Sequence, residues 1–264
     1  GVRSGRRAVE LAEGGDEELI AGAHAIFAYA LYLHGDNEEA GAEARAAIER
    51  PEIVERPHAL IYALACVALV ELDQGHAQAA EATARRSLEA ARRLGLAAVT
   101  AAGLARLALG QVLLESGDVA EAERHLERAE VLRRASRPTL EHVHALLQLA
   151  RARLARGRLQ LASAELGAAL EELDSFSDAG RLTGLAEEHE RTTDRCLRGV
   201  ERGRDRLLEQ PFAEADPQLP GGDAGHAGAG DDTRGIPRDG RARRSPGRGP
   251  AGRDRGAGTA MARG

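Results

Sequence analysis

Between Gly110 and Ala129 the chain passes from an apolar run, Gly110-Gln111-Val112-Leu113-Leu114, through Gly117 into a polar stretch where Ala122, Leu126 and Ala129 recur at helical spacing. The pattern predicts a helical hairpin. Gly117 suits the left-handed conformation that closes many helices, and Asp118 suits the cap that accepts free N–H groups of the next helix. Gly110 stands twelve positions before Ala122, and Ala129 seven after it, with bulky Leu109 and Leu126 between them. Small residues at such places let two helix backbones approach where a leucine would hold them apart.

The arrangement recurs when the turn glycines Gly35, Gly75, Gly117 and Gly157 are aligned, at spacings of 40, 42 and 40 residues. The contact position on the first helix is then Ala28, Ala68, Gly110 and Ala150. Those on the second are Ala40, Ala80, Ala122 and Ala162, followed by Ala47, Ser87, Ala129 and Ala169. All twelve are small. The spacing resembles the tetratricopeptide repeat, with units longer than that repeat's roughly 34 residues. The expected fold is all-α, a right-handed α-solenoid of tetratricopeptide-like hairpins. Its helices are predicted at about 16–33 with 37–49, 57–72 with 76–94, 97–115 with 118–134, and 139–156 with 158–173. Pro51, Pro57 and Pro138 punctuate the connections.

Four segments follow from this reading. Residues 1–15 read as the end of a truncated preceding repeat, 16–173 as four helical pairs, and 174–209 as a capping helix with Leu185, Cys196, Val200 and Leu207 near one face. Residues 210–264 read as a disordered Gly/Arg/Pro-rich tail, since their only large apolar residues beyond Phe212 are Leu219, Ile236 and Met261.

Composition narrows the function. With three Phe, three Tyr and no Trp, the core is built from Leu, Val and Ala in thin layers, as in stacked helical pairs. No Lys occurs, which excludes the lysine-containing phosphate loop of nucleotide-binding ATPases. Cys66 and Cys196 stand alone, without a zinc pattern or a disulfide framework. No apolar leader or membrane-length segment is evident, so a cytoplasmic setting is expected, with no membrane partner. The tail from Arg241 onward carries seven Arg against one Asp, a charge that suits phosphates, but without aromatics to stack on bases it reads as a solvated segment.

The residues Ala105-Arg106-Leu107-Ala108-Leu109-Gly110 through Ala129, the forty-residue repeats and the linker from Leu173 to Leu185 together resemble the sensor region of MalT-like, LuxR-family ATP-binding transcriptional regulators. The resemblance covers about residues 1–209. It implies a module that senses a ligand or partner and self-associates, lying between an ATPase and a DNA-binding helix-turn-helix, neither of which this sequence contains. DNA contact would then run through that absent helix-turn-helix. The alternative is a free-standing tetratricopeptide adaptor or scaffold that binds a peptide or partner helix.

No catalytic constellation emerges, so a non-enzyme without metal or cofactor is expected. His142 and His144 are two apart and point to different sides of a helix, which makes them poor joint ligands. Cys66 reads as an inert core thiol, while Cys196 has Arg195 and Arg198 beside it but no base or resolving thiol. Glu121, Glu123, Glu187 and Glu188 read as ordinary solvated helix faces, so Glu123→Ala is expected to be nearly neutral.

The expected binding surface is the concave face, lined by the first helix of each pair. Counting from the small contact positions places Tyr29 and Tyr32, Tyr62 and Leu69, Leu107 and Gln111, and His144 and Arg151 there. Aromatic area at one end with polar groups at the other suits a protein, a peptide or a small inducer. The same tyrosines equally suit filling the space between neighbouring pairs.

Overall fold

The computed structural model describes residues 1–14, 17–134 and 139–209, with side chains at 17–18 and 203–209 excepted. The predicted tail and the Ser136-Arg137-Pro138 break lie outside the described residues. Within them the chain is all-helical: α1 (Val2–Glu13), α2 (Glu17–His34), α3 (Asn37–Glu49), α4 (Pro57–Asp73), α5 (Ala77–Arg93), α6 (Thr100–Glu115), α7 (Val119–Arg134), α8 (Leu140–Ala155), α9 (Leu159–Leu173) and α10 (Arg181–Glu209). A short 3₁₀ turn, Pro51–Val54, joins α3 to α4. Four antiparallel pairs, α2/α3, α4/α5, α6/α7 and α8/α9, therefore stack in order, preceded by α1 and followed by α10.

Each pair turns by one device. At Gly35, Gly75, Gly117 and Gly157 φ is +98°, +81°, +84° and +70°, and the next residue's N–H reaches back to a carbonyl five residues earlier, as from Asp118 N to Leu113 O at 2.9 Å. This left-handed closure satisfies carbonyls that the helix end leaves free, and only glycine takes it without steric cost. Asp118 Oδ1 accepts the Glu121 N–H at 3.4 Å, and Thr139 caps α8 by accepting from His142 N at 3.3 Å. α6 starts at Thr100 rather than 97, because the turn at 96–99 leaves Val99 extended.

The twelve small residues are all buried. Gly110 shows why size matters there, for a Cβ on it would lie 2.6 Å from Leu126 Cγ and 2.8 Å from its Cδ2. Ser87 keeps its place by donating its hydroxyl to Ile61 O at 2.7 Å, so its polar atom is satisfied inside the core. α4 and α6 are covered nearly all round, whereas α5 buries one stripe, Ala80, Ala84, Ser87 and Ala91.

Two expectations are corrected. Glu123 is not on a solvated face: it is 2% exposed and accepts from Arg156 at 2.5 Å and Arg158 at 2.9 Å, with Arg153 at 3.5 Å. These arginines come from the following pair and its turn, so the carboxylate ties one repeat to the next. The capping helix begins at Arg181 and buries Leu182, Ala186, His189 and Thr193, spaced along one face, while Cys196 and Val200 are exposed. It packs against α8 and α9 through a face that includes polar residues, so apolar spacing alone predicts the wrong phase.

Candidate functional site

The concave face is occupied by its own side chains. Tyr29 and Tyr32 of α2 stack on His144 of α8, with ring centroids 6.4 and 6.1 Å away, and Tyr62 of α4 meets Tyr29 edge-on at 5.9 Å. Tyr29 Oη and His144 Nδ1 are hydrogen-bonded at 3.0 Å. Helix α10 completes the closure. The Arg181 guanidinium lies 4.2 Å from the Tyr32 ring centroid, pairs with Asp73 of α4, and donates to Asn37 Oδ1 at 3.0 Å. Just before it, Gly180 (φ +57°) passes so near the end of α2 that a Cβ would lie 2.1 Å from Leu33 O, a position only glycine can hold.

Burial sets the protonation of this plug. It pushes the Tyr32 hydroxyl up to about 12 and raises those of Tyr29 and Tyr62 well above the ordinary tyrosine value. His144 is driven down to about 3 by burial first, with the charges of Arg181 and His189 adding to it. The rings are thus neutral around pH 7.

Of the eight residues expected to face a ligand, Tyr29, Tyr32, Leu69, Leu107, Gln111 and His144 are buried. Arg151 sits at the edge, its guanidinium paired with Glu115 at 2.6 Å. The structure thus places six of the eight in the packed interior and Arg151 at its edge. The alanines at the helix contacts draw the pairs close, α2 comes within ring contact of α8, and the space between is only as wide as the rings that fill it.

Tyr62 alone of the eight lines an open groove, of about 540 Å³, where the N-terminal ends of α2, α4, α6 and α8 converge. Leu19 and Ile26, 55% and 62% exposed, lie two helical turns apart on α2, with Gly22 making a dip between them. Pro57, Ala59 and Ala101 continue the apolar wall. Its floor is polar: Tyr62 Oη donates to Glu141 Oε1 at 2.5 Å, and Arg133, 5% exposed, pairs with Glu141 at 3.0 Å and donates to Thr100 O at 3.2 Å. Gly103 makes room for that arginine, since a Cβ there would lie 2.8 Å from Arg133 Cδ. Sequence reasoning missed this place. The available signal was the apolar pair Leu19 and Ile26, seven residues apart on one side of α2 and exposed among the described residues.

The groups with chemical reactivity lie elsewhere. Cys66 is buried with its Sγ 3.9 Å from Ala25 O, and burial raises its thiol well above the ordinary value, so it stays protonated. His142 contacts Glu172 at 2.8 Å and Glu130 at 3.5 Å, away from His144. Among the described residues no group of three His, Cys, Asp or Glu side chains is placed to hold a metal ion. Among them also, no helix is long and apolar enough to cross a membrane.

No protein-family model matches the chain, and no curated protein matches it. Among solved structures, BtubC (BKLC) from P. vanneervenii is similar at 19% identity and a TM-score of 0.46, covering 65% of this chain and 71% of that one. The apo form of RapI is similar at 18% identity and a TM-score of 0.46, over 67% of this chain. The matched part spans about half, 49%, of RapI.

Proposed function

We propose that this chain is a non-enzymatic, partner-binding helical-repeat module whose groove at the N-terminal ends of α2, α4, α6 and α8 takes an apolar peptide segment. The observation that carries the reading is the exposed pair Leu19 and Ile26 lining the same groove as the Arg133–Glu141 ion pair. Exposed leucine and isoleucine on one helix face lose water-contacting surface when covered, at about 25 cal/mol per Å². The groove is open along one side, which suits a segment whose polar backbone stays in solvent better than a small apolar molecule that would remain half wet. The floor offers a half-buried carboxylate and a buried guanidinium for one polar group of the segment, giving register.

The test is selection from a random peptide library against the full chain. Enriched peptides should carry two or more apolar residues, lose binding to Ile26→Asp, and bind Arg151→Ala as they bind the wild type. Undiminished binding to Ile26→Asp would refute the groove.

The finer reading is that this module is the sensor and oligomerisation part of a LuxR-family regulator. It rests on the resemblance of the repeats and linker to that family. It predicts an ATPase encoded upstream and a helix-turn-helix downstream. Reading the flanking DNA in all frames decides it, and a gene with neither leaves the free-standing adaptor.

A further inference from the structure

A second cavity, of about 490 Å³, opens in the seam between α5, α6 and α7 and shares no lining residue with the groove. Its lower walls are apolar, from Leu88 and Ala91 of α5, Ala97 of the following turn and Leu109 of α6. Over them stand Arg106 of α6 and His125 of α7. No carboxylate among the described residues pairs with Arg106, whose buried Nε has no hydrogen-bond partner. Arg106 shares the lining with the cations Arg85 and Arg92 and with Glu89, and burial and the like charge of Arg128 both act against its own charge. His125 has a buried Nδ1 that is also without a partner, and its other nitrogen reaches Glu121 only at 3.7 Å. That carboxylate is shared with Arg85, at 3.6 Å. The carboxylate on the lining itself, Glu89, is taken by Arg92 and Arg93 at 2.8 and 2.7 Å.

The repeats provide an internal control. Counted from the turn glycines, Arg106 and His125 occupy the places of His24 and Glu43 in the first pair, Leu64 and Thr83 in the second, and Leu146 and Glu165 in the fourth. In the first pair the two are complementary, with His24 Nδ1 at 2.5 Å from Glu43 Oε2. In the third alone, two basic groups face each other across the seam. The fold therefore leaves donors and positive charge here that the chain itself does not neutralise, although it is acidic as a whole.

We infer that this seam binds a small organic anion, its carboxylate or phosphate held by Arg106 and His125 and its apolar part resting on Leu88, Ala91, Ala97 and Leu109. Arginine is suited to the task because its fork matches the two oxygens of either group. The cavity volume lies within the range of small-molecule sites. Burial, and then the charge of Arg106, hold the empty site's His125 below its ordinary pKa, so an anion entering between the two would reverse part of that shift.

The experiment follows the His125 imidazole by NMR in the full chain, titrated with hexanoate in one arm and inorganic phosphate in the other, at constant ionic strength. Saturable shifts, with a rise in the His125 pKa, are expected from at least one anion, and the arm that saturates assigns the carboxylate or phosphate class. Arg106→Leu should weaken binding about tenfold or more. Leucine already occupies the equivalent places at 64 and 146, so the variant keeps the fold, which its unchanged helical spectrum will verify. If neither anion saturates below about 10 mM, or if Arg106→Leu binds as well as the wild type, the site is refuted. Peptide selection on the groove neither supports nor refutes it.

Discussion

The packing inside each pair is tested most sharply where the third departs from the first two. At the contact of α6 with α7 the structure has Gly110 under Leu126, whereas the equivalent partners are Ala28 with Ala44 and Ala68 with Ala84. Gly110→Ala alone brings two opposed effects. Alanine gains about 0.8–1 kcal/mol of helix propensity over glycine. Against that, its Cβ would stand 2.6 Å from the Cγ of a leucine that is wholly buried, so the leucine must shift as it does in the fourth pair, where Ala150 meets Leu166, or the contact is overpacked at a typical cost of about 1–3 kcal/mol. The net expectation is a loss of about 1 kcal/mol. Leu126→Ala alone should cost about 2–5 kcal/mol, towards the upper end because glycine leaves the hole unfilled. In the double variant the clash is gone and the new methyl fills part of the hole, so Gly110→Ala should now stabilise, by about 1–2 kcal/mol. The readout is the midpoint of thermal and urea unfolding for all four proteins. A chain of this size moves by about 2–4 °C per kcal/mol. Loss of stability from Gly110→Ala in both backgrounds would refute the close-contact account of the repeat.

Further outcomes follow from the same structure. Glu123→Ala should cost about 2–3 kcal/mol, because it strips Arg153, Arg156 and Arg158 of their shared carboxylate, and an unchanged melting temperature would contradict the network. His144 is held at about 3 in the folded chain against 6.5 unfolded, so its contribution is complete above pH 6.5 and is lost as pH falls towards 3, at about 1.4 kcal/mol per pH unit. His144→Gln should remove that part of the slope, as urea melts at stepped pH will show. Arg181→Ala should release the start of α10 from α2 and α4, seen as faster amide exchange at 182–193 than in α6, and equal protection would refute the strap. Arg106→Leu should leave stability unchanged or raise its melting temperature, since it removes an unpaired, half-buried charge.

What was legible in the sequence is what one repeat determines by itself. The turn glycines, the small contact residues and the alternation of helices depend on neighbours within forty residues, and each leaves a periodic mark. What depends on contacts across repeats left none. Glu123 looks solvated on its own helix and becomes buried only because Arg156 and Arg158 arrive from the next turn. The buried face of α10 includes His189 and Thr193, so apolar patterning pointed instead to Cys196 and Val200. Counting places the tyrosines on the inner face, but whether that face stays open depends on how nearly α2 returns to α8, which no local pattern encodes.

The small-residue rule that made the repeat legible also decides where a partner has access. Alanine at each contact brings the pairs close, and the inner space shrinks until Tyr29, Tyr32 and His144 meet across it. Opening that face to a ligand would separate three stacked rings, break the Tyr29–His144 hydrogen bond at 3.0 Å and expose a histidine held neutral by burial. It would also require Arg181 to leave Tyr32 and Asp73. Several contacts would be lost before any is gained, whereas Leu19 and Ile26 already stand in water at the helix ends and lose only solvent when covered. Binding at the ends of the first helices, with the middle kept as core, is the arrangement that demands the least rearrangement of the fold.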